Sequence, residues 1–138
     1  MKSKKIDELN IGDFGEFTKT ITDSDIYLFA GVTGDQNPAH INEEYAKNTF
    51  FKTRIAHGIL LAGFISASIA MDTPGPGSIY LKQDLKFKAP ARIGDTITAK
   101  SEITDINVKR NRITMRTTCT NQDGTLLVDG EAIISPPK

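Results

Sequence analysis

Between Gly58 and Met71 the stretch "GILLAGFISASIAM" carries no charged side chain, and no other feature restricts the possible folds so strongly. Apolar and small residues occupy every side of a helix wound from it, so that helix is expected to be buried all round. It is too short for a membrane span, which takes about 20 apolar residues. The following "DTPGPG" ends it, because prolines and glycines do not continue a helix. What can enclose such a helix is written downstream. In "SIYLKQDLKFKAP", Ile79, Leu81, Leu85 and Phe87 alternate with Tyr80, Lys82, Asp84, Lys86 and Lys88, the period-two pattern of a strand with one wet face. Gln83 alone interrupts the row expected to be buried. "DTITAKSEITDINV", "NRITMRTTCTN" and "GTLLVDGEAIIS" continue the pattern, with Ile113, Met115, Thr117 and Cys119 sharing one face. Turns fall at Gly94-Asp95, Lys109-Arg110-Asn111 and Asp123-Gly124, the last hairpin-like. An antiparallel meander and one apolar helix predict an α+β fold, a curved sheet wrapped around the helix.

Upstream, "GEFTKTIT" reads as a short strand and "TDSDIYLFAGVTGD" as a helix. Thr22 or Ser24 is its N-cap, Ile26, Phe29 and Ala30 form its apolar face, and Gly31 and Gly34 mark its end. "INEEYAKNT" predicts a further short helix capped by Asn42. No linker or repeat divides the chain, and 138 residues make one domain, 1–138, large enough to bury a core without staples. Seventeen basic residues balance seventeen acidic ones, which leaves no electrostatic footprint for nucleic acid. Cys119 is the lone cysteine, so neither an internal disulfide nor a multi-cysteine metal site is expected. "MKSKKIDELNIGDFG" is basic but leads into no apolar run of signal-peptide length, so the expected location is cytoplasmic, away from membranes.

Both histidines, His40 and His57, lie within "GDQNPAHINEEYAKNTFFKTRIAHG". Asn37 precedes Pro38 and is pushed out of the α region, so the chain must turn between Asp35 and His40. That turn can bring the two side chains together as an acid/base pair, whereas in a strand they would lie roughly 17 Å apart. The alternative is local: Asp35 closes the preceding helix, Asn37 makes an Asx-turn and His40 sits on the surface. His57 directly precedes the apolar helix, where contact with backbone or packing at its N-terminus is expected. Gly58 leaves a backbone N–H unobstructed at the positive end of the helix dipole, where an oxyanion can be stabilised, or else lets another segment pass closely. Ser66, two turns on, needs a partner if buried, whether ligand, water or a carbonyl of the preceding turn.

"GDQNPAH" resembles the D-x-N-P-x-H motif of the MaoC-like (R)-specific enoyl-CoA hydratases. "AHGILLAGFIS" is similar to the helix of their hot-dog fold, and "SIYLKQDLKFKAPARIGD" to the strand and turn that follow. The resemblance runs from the opening "IGD" to the last strand. It implies reversible hydration of trans-2-enoyl-CoA to (R)-3-hydroxyacyl-CoA, with Asp35 and His40 as a catalytic dyad and Gly58 as oxyanion donor. It also implies that Asn37, Ser66 and Ile69 contact substrate, the last two setting acyl depth. β-Branched Ile69 would favour short chains. No metal or cofactor is implied beyond coenzyme A as the substrate's handle, whose phosphates Arg54, Lys82, Lys86 and Lys88 are available to meet. A homodimer is implied as well. A dehydratase of acyl-carrier-protein thioesters fits the same motif. A hot-dog thioesterase would need a carboxylate placed for another attack, and the intact motif argues against it.

Overall fold

The computed structural model describes residues 2–138. Its elements are β1 (Phe14–Thr20), α1 (Asp23–Thr33), α2 (Pro38–Ile41), α3 (Glu43–Ala46), α4 (Gly58–Ala70), β2 (Ile79–Phe87), β3 (Thr96–Asn107), β4 (Arg112–Thr120) and β5 (Leu126–Ser135). The five strands form one antiparallel sheet in the order β1-β3-β4-β5-β2. β3, β4 and β5 are the expected meander. β2 has crossed to pair with β5, with Gln83 opposite Ala132 and Phe87 opposite Val128.

α4 lies across β1, β3 and β4, burying Leu61, Phe64, Ile65 and Ile69 against Ile97, Ile103, Ile113 and Met115. β1 comes so close that a Cβ on Gly15 would stand 2.2 Å from the Ser68 carbonyl oxygen, so only glycine fits there. Beside it, Ser68 Oγ donates to the Ile65 carbonyl (2.7 Å) and pairs with Ser101 Oγ (2.7 Å), which satisfies both buried hydroxyls. The expected inner row of β4 is buried throughout. Burial pushes the Cys119 thiol up to about 12, leaving it inert.

Several expectations need correction. Ile79, Leu81 and Phe87 are not buried: they are 59%, 46% and 53% exposed. β2 is an edge strand, and a register shift between Tyr80 and Lys82 puts Tyr80, not Ile79, in the row with Gln83, Leu85 and Phe87, of which Leu85 packs against the core. Nor is α4 enclosed all round, since Ile59 and Gly63 face outward. Gly31 lies inside α1 and only Gly34 ends it, at φ 85°. Thr22 is the cap: its Oγ1 accepts the Asp25 N–H (3.2 Å), and the Thr22 N–H donates to the Asp25 carboxylate (2.9 Å). Among the described residues, no helix is long and apolar enough to cross a membrane.

Candidate active site

After Gly34 turns the chain, Asp35 donates its N–H to Thr33 Oγ1 (3.2 Å) and its carboxylate accepts the Asn37 N–H (3.2 Å). Asn37 Oδ1 in turn accepts the Ala39 N–H (3.1 Å) and caps α2, whose first residue is Pro38. Asn37 thus shapes the turn that leads into α2. The one-turn α2 stands where sequence showed only a loop, and it swings His40 inward to 9% exposure. His40 is therefore not the surface residue of the local alternative. Its Nδ1 lies 2.8 Å from the Ile55 carbonyl oxygen. A carbonyl only accepts, so Nδ1 carries the hydrogen, and neutral His40 presents an unprotonated Nε2.

His57, 2% exposed, is the N-cap of α4 without capping it through its side chain. Its Nε2–H donates to the Asp35 carbonyl (2.9 Å), which leaves Nδ1 buried without a partner. Its ring lies 3.9 Å from that of His40, centroid to centroid and tilted 30°, and 4.7 Å from that of Phe29. Burial holds its pKa below the ordinary histidine value and His40 adds to this, against an opposing pull from Asp35. A carboxylate oxygen of Asp35 and one ring nitrogen from each histidine fall within 4.8 Å of one another. That donor set suits a transition metal in kind. The two rings are stacked, however, so their in-plane lone pairs run side by side instead of converging at the 2.0–2.1 Å typical of zinc–imidazole bonds. The arrangement fits a proton-transfer pair better than a metal centre.

Gly58 is the first residue of α4, so its N–H has no acceptor within the helix. It opens with His40 onto a cavity of about 460 Å³. Phe50, Phe51 and Phe87 line the cavity, Leu61 and Val128 reach it from the core, and Lys88 is its one cation. The expected wall residues are elsewhere: Ser66 is half-buried and off the cavity, and Ile69 is 1% exposed within the core. Ser66, two residues before Ser68, lies on nearly the opposite side of the helix, and Ile69 packs in the core against the sheet. Sequence missed Phe87, whose ring packs over Gly58. Its signal was a large apolar side chain at the end of a strand, read as core. Of the four candidate cations, Arg54 is committed to protein contacts. Its guanidinium pairs with Asp23 (2.6 Å) and Glu43 (3.4 Å) and donates to Tyr27 Oη and the His40 carbonyl. It thereby ties α1, α2 and α3 together, and Asp23 beside it holds its pKa raised against the cost of burial.

Comparison with known proteins gives consistent likenesses. A family model described as MaoC like domain matches residues 13–124. The (R)-specific enoyl-CoA hydratase of Rhodospirillum rubrum is 53% identical over 131 residues, covering 95% of this chain and 90% of that protein. The 3-hydroxybutyryl-CoA dehydratase of Methylorubrum extorquens is 43% identical, covering 96% and 83%. The unliganded R-hydratase PhaJ1 of Pseudomonas aeruginosa superposes with a TM-score of 0.92 at 45% identity, covering 97% of this chain and 86% of that one.

Proposed function

Since the chain belongs to the MaoC-like family, with the hot-dog fold, and is a hydro-lyase of the (R)-specific enoyl-CoA hydratase type, we propose that Asp35, His40 and Gly58 add water across trans-2-enoyl-CoA. The observation that carries this is the meeting of three groups: the Asp35 carboxylate beside the His40 ring, and Gly58 lining the same cavity as His40. Unprotonated Nε2 of His40 takes a proton from a water that Asp35 holds, and the hydroxide oxygen bonds to Cβ. The electron pair of the double bond moves towards the thioester, where the Gly58 N–H stabilises the enolate oxygen. The proton held on His40 then passes to Cα, so one water is added and the dyad is restored. Acid/base transfer and one hydrogen-bond donor complete the reaction, and no metal or organic cofactor belongs to the proposal.

The acyl chain is proposed to be short, about four to six carbons. Leu61 and Val128 close the inner end of the cavity, and the Methylorubrum relative is named for a four-carbon substrate. Lys88, which lines the cavity, is proposed to meet a phosphate of coenzyme A. A second copy of the chain is proposed to cover β2, whose free edge and exposed Ile79, Leu81 and Phe87 suit a homodimer. A coenzyme A substrate suits the cytoplasm, which is the proposed location.

The test is the hydration of crotonyl-CoA followed by loss of enoyl-thioester absorbance, with the product's configuration determined. (R)-3-Hydroxybutyryl-CoA formed after exhaustive chelation is the expected result. An (S)-product, no product, or thiol release without hydration refutes the proposal.

A further inference from the structure

We propose that His57 is a positioning residue for this reaction, a neutral buried imidazole that sets Asp35 and His40 against the N-terminus of α4. This rests on the hydratase function proposed above. Asp35 sits in an exposed loop whose other hydrogen bonds at that residue are local, to Thr33 and Asn37. The bond from His57 Nε2–H to the Asp35 carbonyl is the one that reaches the body of the protein, 22 residues away in sequence. The same ring supports the face of His40. The backbone of His57 starts α4, its carbonyl accepting the Leu60 N–H (3.0 Å), and Gly58 follows directly. One side chain therefore references all three reacting groups to one another, and His40 and Asp35 cannot shift independently of α4.

The unpartnered Nδ1 fits this role. With Nε2–H committed to a carbonyl, Nδ1 is the bare nitrogen, and no acceptor stands ready for a second proton. The groups that face the ring are His40 from α2, the Asp35 carboxylate from the loop and, from α1, the unchargeable ring of Phe29. Protonating His57 would bury an N–H without an acceptor beside a histidine that must itself become charged during turnover. A ring that stays neutral lets His40 carry the proton alone.

The experiment compares His57→Phe, which keeps a stacking ring and loses the donor, with His57→Gln, which keeps an N–H donor and cannot titrate. Steady-state hydration of crotonyl-CoA is measured well below each variant's Tm. In His57→Phe, kcat is expected to fall about 10²-fold with KM nearly unchanged, the cost of about 1 Å of misplacement. His57→Gln should recover most of that loss. Wild-type kcat in folded His57→Phe, or an equal loss in both variants, overturns the proposal, because a merely structural role moves Tm without this pattern. Should His57→Phe not fold, imidazole nitrogen NMR of the wild-type protein decides. The expected spectrum has one histidine protonated at Nε2 and bare at Nδ1, still neutral when the pH is taken below the ordinary histidine range. An Nδ1–H tautomer, or ordinary titration of His57, refutes it. An inactive wild-type enzyme with the expected tautomer would count against the hydratase function and the positioning role, leaving only the contact.

Discussion

Gly58→Ala separates the backbone donor from the space around it. A Cβ at Gly58 would stand 2.7 Å from both Cδ1 and Cε1 of Phe87, where ordinary contact begins near 3.4 Å. The ring must give way, and being 53% exposed it can turn. An off-rotamer aromatic costs about 0.5–1.5 kcal/mol, and alanine is about 1 kcal/mol better than glycine within a helix. The two nearly cancel, so Tm should stay within about 5 °C of wild type. Activity should not survive as well. Phe87 shares the cavity with His40 and Gly58, so the displaced ring and the new methyl crowd the place where the thioester oxygen must approach the N–H. Losing one such donor costs about 10²–10³-fold in turnover. We expect kcat/KM for crotonyl-CoA to fall about 10²-fold, and Phe87→Ala in the same chain to recover at least part of it. A Gly58→Ala protein with unchanged melting and a wild-type rate would take this N–H off the reaction path.

Asp35→Asn and His40→Ala should each lower kcat by about 10²–10⁴-fold with unaltered circular dichroism, and a near-normal rate in either removes that residue from the dyad. Ser68→Ala strands the buried Ser101 hydroxyl and should cost about 1–3 kcal/mol in urea unfolding, while the Ser68→Ala/Ser101→Ala pair should cost less than the two singles combined; strict additivity would show that the two do not interact. The fold favours neutral His57, so between its lowered pKa and the ordinary value of 6.5 the unfolded chain binds more protons. Its contribution to stability is complete above about pH 6.5 and is lost as pH falls below it. The urea midpoint should therefore drop between neutral and mildly acidic pH by more in wild type than in His57→Gln, and equal drops would assign the effect to other groups.

The inner face of β4 was legible because it sits mid-sheet with neighbours on both sides, so alternation at Ile113, Met115, Thr117 and Cys119 translated directly into burial. The same alternation in β2 failed at the register shift between Tyr80 and Lys82, which moves Ile79 off the face of Gln83, Leu85 and Phe87, and it could not show what covers that face. That depends on sheet order, set by a pairing between Gln83 and Ala132 across nearly fifty residues. The dyad turn was readable from Asn37-Pro38 because proline chemistry is local. The stacking of His57 on His40 was not, since two loops must first dock. Ser66 and Ile69 lie on the helix as expected but are not among the residues lining the cavity: which faces of the helix meet it depends on where the sheet lies, which the helix's uniform apolarity does not encode.

The groups proposed to react all come from the segment between Asp35 and Gly58, which also gives the cavity Phe50 and Phe51, whereas Phe87, Ala89, Ala91 and Val128 belong to the sheet and its loops. Part of the substrate-facing surface is therefore inherited on a different stretch of the chain from the proposed chemistry. Substitutions along that stretch can drift, or be randomised in a library, without disturbing the histidines. A duplicated gene could change its preferred acyl chain in small steps while every intermediate remains a working enzyme. For an engineer, Val128 is the position at which to alter what the enzyme accepts, because Phe87 packs over Gly58 and a change there reaches the proposed oxyanion donor as well.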